Sequence, residues 1–133
     1  MPGLDTNVLV RWLVDDDAAQ VARINKVIES AKRNRESFFV SSTVVLELEW
    51  VLRSRYQFAK SAVLDAFNAL LETQELEFQS ENAVEWALHL FRQGSAEFAD
   101  CLHAGLGAMQ GRSPLLTFDQ KAAKLPGVEL IGA

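Results

Sequence analysis

Short apolar runs alternate with longer amphipathic segments along this chain, and that alternation restricts its fold more than any other feature. The short runs are rich in aromatic and β-branched residues, and the long segments repeat their apolar residues at helical spacing. The pattern predicts strands at residues 3–4, 38–40, 76–78, 115–118 and 128–131, with the fourth buried. It predicts helices at residues 7–14, 18–34, 43–55, 60–73, 81–93, 95–109 and 120–124. This alternation favours an α/β fold whose parallel sheet is covered on both faces.

The composition is ordinary for one globular domain spanning residues 1–133, since 49% of the residues are apolar. No apolar stretch approaches the roughly 20 residues of a membrane span, and the N-terminus lacks the basic start of a secretion signal. A single cysteine, Cys101, cannot form an internal disulfide and suits a reducing compartment. We therefore expect a soluble, cytoplasmic protein with no membrane association.

The net charge of -5 argues against a passive nucleic-acid coat protein, because such binding depends on Lys and Arg that neutralise phosphates. It is compatible with an enzyme that acts on nucleic acid through a cluster of carboxylates and bound cations.

Four acids stand out by position. Asp5 and Asp119 each follow a predicted strand directly, and Glu47 and Asp100 lie on predicted helices. Ligands of parallel α/β folds bind beyond the carboxyl ends of strands. At each of the four positions the flanking apolar residues are expected to bury the carboxylate, and buried ionised carboxylates are rare unless paired or metal-bound. The pattern therefore predicts a metal site.

Each acid also has a structural interpretation. Asp5 could cap the first helix, but Thr6 and Asn7 can cap it equally well, so a functional role is favoured. For Asp119 a functional role and an N-cap of the helix at 120–124 both remain open. Glu97 lies three residues before Asp100 on the same predicted face, where both acids could equally be favourable charges in a solvated first turn.

The third predicted helix offers two acids, Glu47 and Glu49. Glu49 precedes Arg53 by four residues, which is the favourable order for a surface ion pair, whereas Glu47 meets only Val51 at that spacing. Because this helix is apolar nearly all round, we expect its unpaired carboxylate to face a cleft. Glu47 is therefore the candidate.

The candidate ligands are all hard oxygen donors, and the two histidines lie far apart, so Mg²⁺ or Mn²⁺ is expected rather than structural zinc. Such ions lower the pKa of an attacking water in phosphodiester hydrolysis. Asp5 and Asp100 are the first-choice ligands, and Thr117 could orient a water or a carboxylate.

Basic and aromatic residues are less specific signals. Arg11, one turn after Asp5, could touch a substrate phosphate or pair with a neighbouring acid. Arg53 and Arg55 could follow a phosphate backbone, but scattered helix-face cations are more often solubilising. The tryptophans are spaced like core or interface anchors, and stacking on an RNA base is the less favoured role. They are Trp12, Trp50 and Trp86.

Four segments, LDTNVLVRWL, SSTVVLELEWVL, EFADCLHAGL and LLTFDQKAAKL, resemble in order and spacing the PIN domain of VapC-type toxins, over essentially the whole chain. The resemblance implies a three-layer α/β/α domain with a central parallel sheet. It also implies a metal-dependent ribonuclease site, a toxin encoded with an antitoxin that occludes this site, and homodimerisation. The implied site acids match Asp5, Glu47, Asp100 and Asp119; Thr6 and Thr117 match small polar positions beside two of them; Glu97 stands where relatives often have Asp.

The favoured function is thus a magnesium-dependent endoribonuclease, the toxin of a type II toxin–antitoxin pair. One alternative is a PIN-like interaction module whose acids are vestigial. A second is a metal-dependent phosphatase, although haloacid-dehalogenase-like enzymes use Asp-x-Asp and here Asp5 is followed by Thr6 and Asn7.

Overall fold

The computed structural model describes residues 1–132 and confirms an α/β chain whose strands pair in parallel. It divides into two compact units, residues 1–79 and a second unit that begins at Ser80. The first unit contains α1 (Thr6–Val14), α2 (Ala18–Asn34), β1 (Phe38–Val40), α3 (Ser42–Ser54), α4 (Lys60–Leu71) and β2 (Leu76–Phe78). The second contains α5 (Glu81–Gln93), α6 (Phe98–Met109), β3 (Leu115–Thr117), a 3-10 turn (Ala122–Lys124) and β4 (Val128–Leu130).

In the first unit, β1 and β2 pair in parallel with Phe38 opposite Leu76. The predicted strand at residues 3–4 is a single parallel bridge between Gly3 and Phe39. That bridge is short because the chain enters α1 immediately after it. The helices bury a common core whose largest fully buried side chains include Phe67, Leu9, Leu48 and Leu52.

Local capping starts the helices of this unit. Asp17, the last of three consecutive Asp residues, accepts a hydrogen bond from the Gln20 N–H (3.1 Å) and caps the start of α2. Ser41 does the same for α3 by accepting from the Val44 N–H (3.2 Å). Both helix starts agree with the sequence predictions to within one residue.

In the second unit, α5 and α6 pack closely. A Cβ added at Gly105 of α6 would lie 2.9 Å from the carbonyl oxygen of Ala83 in α5, so only glycine permits this approach. The rings of Phe91 and Phe98 meet edge to face with centroids 5.7 Å apart. The two strands of this unit pair in parallel, with Leu115 opposite Val128.

Two predictions about this unit were wrong. The helix expected from residue 95 begins at Phe98, because the chain bends at residues 94–96 and Glu97 occupies the N-cap position. The run 115–118 is not buried: Leu116 is 59% exposed and Phe118 is 78% exposed. Alternate residues of a strand face opposite sides, and one side of β3 meets solvent.

Candidate functional site

Thr6 links two of the candidate acids in the first unit. Its backbone N–H donates to Asp5 Oδ1 (2.7 Å), and its hydroxyl donates to Glu47 Oε1. Thr6 is buried where α1 packs on α3, whereas both carboxylates are exposed. A buried hydroxyl therefore places two carboxylates that are far apart in sequence on one patch of surface.

A cavity of about 330 Å³ adjoins this pair. Asp5, Thr6 and Glu47 line it together with Asn7 and Arg11 from α1. Its other polar and aromatic lining comes from the second half of α3 and the residues just after it: Trp50, Arg55 and Tyr56. The sequence interpretation missed this grouping, although Glu47 and Trp50 lie three residues apart, at the spacing of one helix face.

The expected ion pair of Glu49 with Arg53 on α3, which left Glu47 as the candidate ligand, is confirmed. Arg53 Nε lies 2.8 Å from Glu49 Oε2. It is not a surface pair, however, because Glu49 is only 3% exposed. Glu49 lies on a covered side of α3, and its pairing with Arg53 keeps the buried charge tolerable.

Arg11, expected to touch a phosphate or pair with an acid, pairs with Asp16, their side-chain atoms lying 3.1 Å apart. Both side chains are partly exposed, so this pair contributes little stability and can open.

Two acids of the second unit, Asp119 and Glu97, act electrostatically on a third, Asp100. Asp100 lies in the first turn of α6, half-buried, and Glu97 precedes that helix. Burial raises the pKa of the Asp100 carboxyl, and the charges of Asp119 and Glu97 raise it further, while His103 opposes them. The carboxylates are thus held close enough to repel, and a bound cation would relieve that repulsion.

Asp119 also has a structural role at the start of the 3-10 turn. Its Oδ1 accepts from the Ala122 N–H (2.9 Å), and its own N–H donates to the Thr117 hydroxyl (3.0 Å). Asp5 occupies the equivalent capping position of α1. Both acids therefore accept a backbone N–H at the start of a helix or turn, which is a structural role. This role is compatible with a catalytic one.

The expectation that all four acids are buried was wrong. Asp5, Glu47 and Asp119 are exposed, and Asp100 is half-buried. Caps lie where the chain turns from a strand into a helix, and there a carboxylate next to an apolar run can still reach water. Within residues 1–132 the buried acids are Glu49 and Glu75 instead.

The donor chemistry fits a hard divalent cation, since it consists of carboxylates and hydroxyls. Across the part of the chain that is described, no group of three or more His, Cys, Asp or Glu side chains is arranged to hold a metal ion. Mg²⁺ is typically held by one or two carboxylates with waters and substrate phosphates completing its shell. The Asp5 and Glu47 pair, and the Asp100 group, fit that mode of binding.

Acids that follow strands in a parallel α/β chain are typical of proteins whose sites lie at strand ends. The family model of the PIN domain matches residues 4–128. The chain therefore belongs to the PIN domain family, whose members are generally nucleases and typically use divalent metals. No curated protein matches the chain. None of the helices described at residues 1–132 is long and apolar enough to cross a membrane.

Proposed function

We propose that the chain is a single PIN domain that hydrolyses RNA phosphodiester bonds as a Mg²⁺- or Mn²⁺-dependent endoribonuclease, and that it is the toxin of a type II toxin–antitoxin pair. Asp5, Glu47, Asp100 and Asp119 are assigned as its catalytic acids and metal ligands. Family membership supports nuclease chemistry, and the four matching segments support the toxin subtype.

The observation that carries the proposal is the double use of Thr6. One buried residue donates to Asp5 and to Glu47, so the two carboxylates are oriented before any ligand arrives. A cap needs only the first of these hydrogen bonds. The second one places Glu47, which has no capping role, beside Asp5.

In this assignment the chain's own groups bind and orient. Asp5 and Glu47 supply oxygen ligands, Asp100 and Asp119 add negative charge, and Glu97 is a further candidate ligand. When bound, the divalent ion would lower the pKa of an attacking water and stabilise charge on the scissile phosphate. The Thr117 hydroxyl, which accepts from the Asp119 N–H, fixes the backbone that carries Asp119.

The proposed partners are an RNA substrate, a cognate antitoxin that occludes the acids, and a second copy of the chain. An antitoxin Arg would suit the acids, because a guanidinium binds carboxylates in a bidentate way. We place this activity in the cytoplasm, which the single cysteine Cys101 suits; that residue is buried, as expected of a small apolar side chain.

One observation favours the non-catalytic interaction module as second candidate, namely that Asp5 caps α1 and that Asp119 accepts a hydrogen bond from the first residue of the 3-10 turn. The two candidates separate on RNA cleavage. The purified chain should cleave RNA with Mg²⁺ or Mn²⁺, and a chelator should stop it; soluble protein that never cleaves RNA with either ion would favour the module.

Expression in cells tests the toxin assignment. The chain alone should arrest growth, and co-expression of the protein encoded beside it should restore growth. Normal growth with verified soluble expression would contradict the assignment, and a chain carrying Asp5→Asn serves as the control that should not arrest growth.

A further inference from the structure

The cavity beside Asp5 and Glu47 has a second wall that the catalytic proposal does not use. Trp50, Arg55 and Tyr56 form this wall, at the end of α3 and just after it. Glu47 and Trp50 share a face of α3, so the aromatic wall begins directly beside the carboxylates. We call these three residues the aromatic wall.

Trp50 is not a core residue, because it is 49% exposed. The Arg55 guanidinium lies 5.9 Å from the centroid of its ring, at the outer limit of a cation–π contact. A guanidinium can cover only one face of an indole, so a large part of the ring remains accessible. An accessible indole face on the wall of a polar cavity suits stacking with a flat ligand.

Two arginines, one in the last turn of α3 and one just after it, differ in whether they form an ion pair. Arg53 is bound to the buried carboxylate of Glu49. No acid within residues 1–132 forms an ion pair with Arg55. Arg55 thus has a positive charge beside the cavity that is available to an anionic ligand, and a guanidinium binds phosphate oxygens well.

We propose that the aromatic wall is a nucleotide subsite for single-stranded RNA, in which an unpaired base stacks on Trp50 and Arg55 binds an adjacent phosphate. The inference rests on the proposed function, because it takes the strand to pass the acids Asp5 and Glu47. A cavity of about 330 Å³ lies at the small end of the range for ligand sites, which suits one nucleotide unit rather than a duplex.

The aromatic wall should prefer single-stranded to double-stranded RNA, because its exposed ring can stack only with an unpaired base. Bases in a duplex are stacked on one another and do not present a face to a protein side chain, whereas bases in loops can be splayed out onto aromatic rings. Stacking tolerates every base, so this subsite binds strand and contributes little sequence preference.

The test measures the affinity of the purified chain for a fluorescein-labelled single-stranded oligoribonucleotide by anisotropy, with chelator present to stop cleavage. Trp50→Leu should weaken binding by about 5- to 150-fold, and Trp50→Phe should restore most of it. Arg55→Gln should weaken binding and reduce the slope of log affinity against log salt by about 0.7. In cleavage assays with metal, both substitutions should raise KM and leave kcat nearly unchanged.

Two matched controls share the chemistry but not the cavity. Trp86→Leu removes another exposed tryptophan, on α5, and Arg33→Gln removes another exposed cation, near the end of α2. Both should bind the oligonucleotide like the parent. Melting curves of every variant verify that binding is compared among folded proteins, and Arg55→Gln alone suffices should Trp50→Leu fail to fold.

The outcomes separate the subsite from the catalytic proposal. Cleavage of RNA with binding unaffected by Trp50→Leu and Arg55→Gln would overturn the subsite and leave the nuclease standing. Binding that depends on both residues, without cleavage under any metal, would support the subsite and defeat the nuclease. Equal losses in the two controls, or equal affinity for a duplex of the same sequence, would also overturn the subsite.

Discussion

The acids of the two compact units are held by different physics. In the first unit Asp5 and Glu47 receive hydrogen bonds from one buried threonine, so their orientation is fixed by donors. In the second unit burial raises the pKa of the half-buried Asp100 carboxyl, and the charges of Asp119 and Glu97 raise it further. Carboxylates can thus be prepared for a cation in two ways: by donors that orient them, or by burial and neighbouring negative charge, which a bound cation would offset.

Removing a carboxylate from either unit should have the largest effect. Asp5→Asn and Asp100→Asn keep the size of the side chain and delete its charge, so each should reduce RNA cleavage by about 100-fold or more, as removal of one electrostatic stabiliser does. Single-turnover cleavage rates measure this. Asp65→Asn, an exposed acid of α4, is the control for the lost charge.

If only one of the two substitutions abolishes cleavage, the acids of the other unit have no part in the chemistry. Parent-like cleavage by both variants would defeat the catalytic assignment altogether.

Thr6→Val tests orientation alone. It keeps the shape of the side chain and the backbone donor to Asp5, but it removes the hydroxyl that donates to Glu47. Loss of such an orienting group typically costs 10- to 100-fold, so cleavage should fall by about that factor and need more metal for half-maximal rate. Thr6→Ser retains the hydroxyl and should retain activity; equal loss in both variants would mean that packing, not the hydrogen bond, matters.

The smallest expected effects are changes in the free energy of unfolding without metal. Substitution of the acid should lower this free energy in the first unit and raise it in the second. Asp5→Ala removes a helix cap and should lower the free energy of unfolding by about 0.5–2 kcal/mol, whereas Asp5→Asn should be nearly neutral because Asn caps as well. Asp100→Asn should instead raise stability at pH 7. Urea unfolding of the three variants measures this.

The pH dependence follows from the raised pKa of Asp100. Between the ordinary Asp value of about 3.9 and the raised value, the folded chain binds more protons than the unfolded one, so stability falls as pH rises through this window. The gain from Asp100→Asn should therefore be present at pH 7 and vanish below about pH 4. A gain that persists at low pH would contradict a raised pKa of Asp100 in the folded chain.

The sequence predicted most elements because their signals are local. The bounds of β1, β2 and α5 agree with prediction, since each is an apolar run or periodic stretch closed by polar or glycine residues. The start of α6 was missed because Ser95 is a favourable N-cap residue in the sequence, whereas Glu97, the observed N-cap, makes no side-chain capping hydrogen bond and gives no local signal.

The burial of side chains was harder to predict from the sequence than the bounds of helices and strands. An acid beside an apolar strand looks buried in sequence, yet Asp5 and Asp119 reach solvent as caps. Glu49, placed on the surface by its spacing to Arg53, is buried because neighbouring elements cover its side of α3. Such covering depends on residues far away in sequence, as does the contact of Thr6 with Glu47, so neither periodicity nor spacing reveals it.

Calorimetric titration of the chain with Mn²⁺ at pH 7 measures whether Asp5, Glu47, Asp100 and Asp119 bind a divalent cation. We expect binding at or below millimolar metal, weakened strongly by Asp5→Asn and by Asp100→Asn and unaffected by Asp65→Asn. Absence of binding at millimolar Mn²⁺ by folded protein, or binding that all three variants retain, would contradict it.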